Sequence, residues 1–165
     1  MIEDFWGKIK IYDGPEAYLA STQGIPRSLV LLDAAHFCQS EVRNGGLLQF
    51  FWNNTGVLAP EAVGGFELIG MPRLAAVVRS ALSLLGEPYP RTRDMRWDAL
   101  LANSGLSVHE LEQIFIKEPD LYLGFATATV ALGFDARNRE FWTLADEENG
   151  GFEEAAERFV SETHR

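Results

Sequence analysis

Apolar residues recur at spacings of three and four along most of this chain, which is the period of a helix and not of a strand. The clearest stretch runs from Met71 to Leu85. Leu74, Val77, Val78, Ala81, Leu82 and Leu85 make one stripe there, and Gly86 ends it. From Pro26 to Arg43, Val30, Ala34, Phe37, Cys38 and Glu41 fall on one face of a predicted helix. Leu47 to Asn54 predicts a short helix, and Pro60 to Ile69 a weaker one with Gly64 and Gly65 inside it. "GPEAYLAST" places Pro15 at a first helical position.

Further on, "EPYPRTRD" is a loop, and Asp94 to Ala102 a short helix. Ser107 and Glu110 form a capping-box pattern that opens a helix ending before Pro119. "DLYLGFATATVALGF", residues 120–134, fits a buried helix or a strand, and helix is the preferred reading. Phe152, Ala155, Ala156, Phe159 and Val160 make a last helical face. The expectation is an all-α fold of roughly eight helices in one domain, residues 1–165.

Composition agrees with a folded, cored protein: hydrophobic residues make up 47% of 165 positions. The single cysteine, Cys38, excludes an internal disulfide and a Cys-rich zinc site, and reads as a small core residue. No signal peptide or membrane-spanning run is visible, so a cytoplasmic location is expected. The net charge of −10 is unevenly spread. Residues 106–165 hold 13 acids and 5 bases, whereas residues 44–105 balance at 5 and 5. A surface of that sign repels nucleic acid and anionic lipid and attracts basic partners.

"EVRNGGLLQFFWNN", Glu41 to Asn54, is the most unusual stretch. A phosphate cradle needs a strand before its glycines, and here a helix precedes them. Gly45 or Gly46 is instead expected to take positive φ and turn one helix directly into the next. Gln49 and Asn53, four apart, share a face. Glu41 points with the apolar stripe, and a carboxylate there must be hydrogen-bonded or protonated. Glu41, Asn44, Gly45, Gly46, Gln49 and Asn53 are therefore expected to form a structural corner closed by a polar lock.

"EVRNGGLLQFFWNNTG", followed by "APEAVGGFELIGMPRLAAVVRSALSLLG", resembles a bacterial family of unknown function that includes a DNA-mimic protein. The match covers roughly residues 29–86, with a weaker echo in "EFWTLADEENGGFEEAAERFV". The resemblance implies an all-α protein that forms a homodimer. In the mimic, surface carboxylates imitate phosphates and occupy a transcription regulator's DNA site.

No catalytic or metal-binding motif is present, and His36 and Glu41 are set about 140° apart on their helix. The expected function is non-enzymatic: an acidic domain that binds a basic protein, in the sharpest form a DNA-binding regulator, without cofactor, nucleic acid or membrane. The candidate partner-binding acids are Glu110, Glu112, Asp146, Glu147, Glu148, Glu153, Glu154 and Glu157. The alternatives are an antitoxin or immunity-type inhibitor of a basic nuclease, and acidity that serves solubility alone. Arg91, Arg93 and Arg96 read as a salt-bridged loop rather than an anion site.

Overall fold

The computed structural model describes residues 8–107, 109–110, 113 and 127–163. It is all-helical. Helix α1 spans Pro15–Ser21, α2 Arg27–Trp52, α3 Ala59–Leu68, α4 Pro72–Leu82, α5 Arg93–Ser104, α6 Asp135–Glu147 and α7 Phe152–Thr163. Short 3-10 turns, Asn54–Leu58, Ser83–Leu85 and Glu148–Gly150, join consecutive helices. Residues 127–131 are helical, and the rest of 120–126 lies outside the described residues.

Helix α2 is two helices meeting at a corner. Gly45 (φ −157°, ψ 17°) and Gly46 (φ 80°, ψ 178°) leave helical geometry between them. Its first half buries Val30, Ala34, Ala35, Cys38 and Val42, and its second half Leu47, Leu48, Phe50 and Phe51. Helix α3 lies against the first half at very short range. A Cβ on Gly65 would sit 2.1 Å from the Leu31 carbonyl oxygen, so the glycine that weakens α3 as an isolated helix is what lets it approach. The core continues through Leu74, Val78 and Ala81 of α4 and Phe141 and Leu144 of α6. Phe66 stacks edge-on against Phe141 and Phe152, tying α3 to α6 and α7 with centroids 5.9 Å apart.

No apolar helical period announces α6. Its buried stripe is Asn138, Phe141, Leu144 and Ala145, and the polar first member hides the period. The bonds of Asn138, described below, explain its burial.

A polar corner and a carboxylate surface

The corner is built by removing two Cβ atoms and filling their places with amides. A Cβ on Gly45 would lie 2.0 Å from Gln49 Oε1, and one on Gly46 would lie 2.6 Å from Asn138 Nδ2. Asn138 Oδ1 accepts the backbone N–H of Leu47 at 2.9 Å. It thus caps the restarted helix from α6, 91 residues away in sequence. Trp142, one turn further along α6, donates its indole N–H to the Val42 carbonyl at 3.1 Å. Both ends of the break are held by the same helix.

Glu41 stands half-buried beneath the corner. Its Oε2 accepts from Gln49 Nε2 at 2.8 Å and from Asn53 Nδ2 at 3.0 Å. Its Oε1 accepts from the Thr55 hydroxyl at 3.0 Å. The structure brings Glu41, Gln49 and Asn53 together and adds the buried Thr55. Asn44 is exposed at the corner and is not among Glu41's partners. Burial, with Glu41 as a second contribution, pushes the Cys38 thiol well up, so this cysteine is protonated and unreactive.

Of the three arginines that follow, Arg96 is buried, Arg91 is half-buried and Arg93 lies exposed over the end of α2. Arg96 is 1% exposed. Its Nε donates to the Phe51 carbonyl at 2.8 Å, one terminal nitrogen to the Asn53 carbonyl at 2.7 Å, and the other to the Arg91 carbonyl. Arg93 donates to the Trp52 carbonyl at 2.7 Å and lies over its ring. Together they take the last carbonyls of α2, the end of a helix that favours cations. Desolvation lowers the Arg96 pKa from its ordinary value. Arg91 makes a two-pronged pair with Glu61 at 2.8 and 3.0 Å. The acid that pairs with this loop is therefore Glu61 of α3, a buried residue, and not the neighbouring Asp94. The periodicity carried a signal for Arg96: it lies four residues before buried Leu100, on the inner face of α5.

The candidate acids divide by what they touch. Glu148 is half-buried, and its two oxygens accept the backbone N–H groups of Arg73 (2.9 Å) and Leu74 (2.8 Å) at the start of α4. Beside it, Asn149 (φ 54°) donates to the Ile69 carbonyl at 2.9 Å, and Arg158 donates to the Asn149 carbonyl. The turn between α6 and α7 is thereby riveted to the α3–α4 junction. Glu110 completes the capping box, accepting the Ser107 N–H at 2.7 Å and hydroxyl at 2.8 Å, which holds its carboxyl below the usual range. Asp146 pairs with Arg43, and Glu154 with Arg158 at 3.6 Å. Glu112 lies outside the described residues.

Glu147, Glu153 and Glu157 remain exposed, each without an ion pair among the described residues. Glu140 and Glu162, outside the candidate set, are exposed in the same way. Glu140 and Glu147, seven apart on α6, lie on one face about 10 Å apart along the axis. Glu153 and Glu157 are neighbours four apart on α7, about 5–6 Å apart at Cβ. The bases of this stretch are engaged: Arg137 with Ser80 and the Gly133 carbonyl, Arg139 with Asp135, and Arg158 with Glu154 and Asn149. Of the histidines, His36 is exposed and lies beside the Phe37 and Phe152 rings, His109 is exposed, and His164 lies outside the described residues. Among the described residues no three His, Cys, Asp or Glu side chains group as a metal site would, and no helix is long and apolar enough to cross a membrane.

Nothing among the curated proteins or the solved structures matches the chain. The family model described as "DMP19-like protein" matches residues 23–164, which takes in the glycine corner, the arginine loop and both acidic helices. The chain belongs to the DMP19-like family.

Proposed function

We propose that this protein is a non-enzymatic, protein-binding domain whose exposed carboxylates occupy the DNA site of a basic transcription regulator. The family membership supports a DNA-mimic role. The observation that carries the reading is the imbalance over α6 and α7. Each arginine there is engaged within the fold, whereas Glu140, Glu147, Glu153, Glu157 and Glu162 face solvent unpaired among the described residues. Duplex DNA presents about one charge per 1.7 Å of axis, and carboxylates fixed on rigid helices are the protein's means of approaching such a row. Glu148 and Asn149 serve this surface indirectly, by fixing the direction in which α7 leaves α6. A homodimer is part of the proposal, and the exposed Trp142 supports an interface on the outer face of α6.

The test is competition. A regulator captured by this protein is bound to its own labelled duplex, and the protein is titrated in. The reading expects the duplex to be displaced with a one-to-one loss of DNA binding. A ternary complex with DNA still bound contradicts it. Capture of a nuclease whose cleavage is blocked would assign the same surface to an immunity role instead.

A further inference from the structure

Helix α6 reaches the α2 corner with side chains set four residues apart. Asn138, Trp142 and Asp146 make one stripe along it. Asn138 accepts the Leu47 N–H at 2.9 Å, Trp142 donates its indole N–H to the Val42 carbonyl at 3.1 Å, and Asp146 pairs with Arg43. The first contact lies beyond the break in α2, and the other two lie before it. A broken helix leaves N–H groups beyond the break and carbonyls before it short of partners. Helix α6 answers one of each.

Burial alone would not select these contacts. Asn138 is 4% exposed and shares its stripe with Phe141, Leu144 and Ala145, where an apolar side chain would cost less to bury. Its place also requires Gly46, whose Cβ would stand 2.6 Å from Asn138 Nδ2. Trp142 is 43% exposed, so its bond to Val42, and not burial of its ring, is what fixes it. Apolar contacts are non-directional, whereas hydrogen bonds constrain angle as well as distance. Two such bonds, one turn apart, set the rotation of α6 about its axis. Glu140 and Glu147 lie about 150° round that axis from the stripe, in solvent. Just past the other end of α6, Glu148 is bonded to the start of α4.

We propose that Asn138 and Trp142 are positioning residues of the carboxylate surface. Seated in the glycine corner of α2, they fix the rotation and tilt of α6 and so the direction in which Glu140 and Glu147 point. What that surface binds is taken from the DNA-mimic reading, on which this inference rests; the seat itself is independent of it. Without the seat, α6 stays helical and packed through Phe141 and Leu144, and pivots about the end held by Glu148. Its carboxylates keep their number and lose their register with those of α7.

Nitroxide labels on Glu140→Cys and Glu157→Cys of the full chain, with the buried Cys38 left in place, give the α6–α7 distance by pulsed electron resonance. A single narrow distance is expected in this parent. Asn138→Ala and Trp142→Phe are expected to shift or broaden it with helix content unchanged, and Asn138→Asp, which keeps the accepting oxygen, to restore it. In the unlabelled protein, Asn138→Ala and Trp142→Phe are expected to weaken displacement of duplex from a captured regulator by about fivefold, with the salt slope unchanged because no carboxylate is lost. An unaltered distance in Trp142→Phe, or a disturbance in Asn138→Asp equal to that in Asn138→Ala, overturns the proposal. So does a shallower salt slope in either variant. If wild type displaces no duplex, the DNA-mimic reading fails, and the label distances still decide the seat.

Discussion

Asn53 joins Glu41 to Arg96. Its side chain donates to Glu41 Oε2 at 3.0 Å, and its carbonyl accepts from Arg96 at 2.7 Å. A half-buried carboxylate and a buried guanidinium are thus bridged by a single residue at the end of α2, neither paired directly with an opposite charge among the described residues. Polar groups linked in this way inside a fold are costly to break singly, because each loss leaves a partner unsatisfied.

Glu41→Gln retains shape but replaces an oxygen that accepts with an NH2 that donates, facing three donors. We expect a loss of about 1–3 kcal/mol in urea unfolding. Unchanged stability would contradict the polar lock. Arg96→Lys cannot reach three carbonyls with a planar fork and is expected to cost a similar amount, about 1–3 kcal/mol. A double-mutant cycle is expected to show coupling of about 0.5–3 kcal/mol, since both act through Asn53. Strict additivity would show that the two sides of the corner are independent.

The two glycines differ in what a methyl group would do. Gly46 has φ 80° and ψ 178°, a region open essentially to glycine alone, and its Cβ would strike Asn138. Gly46→Ala is expected to cost about 1–3 kcal/mol or to prevent folding. Gly45 (φ −157°, ψ 17°) has a negative φ, and a Cβ there meets the Gln49 side chain alone, so Gly45→Ala chiefly pushes the Gln49 amide off Glu41. It is expected to cost about 1 kcal/mol. Thermal unfolding of the two variants checks the order, and a larger loss for Gly45→Ala contradicts it.

Stability should carry a trace of Asp33. Its folded carboxyl is raised to about 6, so the folded state binds a proton that the unfolded state releases near 3.8. Its contribution is therefore most favourable below the unfolded value and is lost as pH rises to about 6. Subtracting the pH profile of Asp33→Asn from that of wild type should leave a downward step in that window. A flat difference would show that Asp33 is solvated.

The acids that build the fold and those that face solvent should separate by salt. Glu148→Gln removes the charged cap of α4 and is expected to cost about 0.5–2 kcal/mol of stability. It should leave the salt dependence of partner binding unchanged. Glu147→Gln, Glu153→Gln and Glu157→Gln should each shallow that dependence with little change in stability. The reverse pattern would place Glu148 in the interface.

Helix period and the glycine pair made α2, its corner and α4 legible, because each depends on neighbours in sequence. The capping box was legible for the same reason, Ser107 and Glu110 being three apart. The burial of Arg91, Arg96 and Glu61 was not, since a charged residue is buried only when a distant partner is supplied, for Arg91 and Glu61 across 30 residues. Asn138 hid α6 by the same route: its reason for burial is Leu47, across the molecule. Among the acids, sequence gave density but not use. Glu148 and Glu147 are adjacent, and one caps a helix while the other is in water.

The most direct measurement is capture from native lysate at low salt, wild type beside a triple variant carrying Glu147→Gln, Glu153→Gln and Glu157→Gln. The account predicts a basic, DNA-binding protein that wild type retains, that salt or duplex DNA releases, and that the folded triple variant fails to hold. Equal capture by both proteins, or a partner that neither salt nor DNA releases, would contradict it.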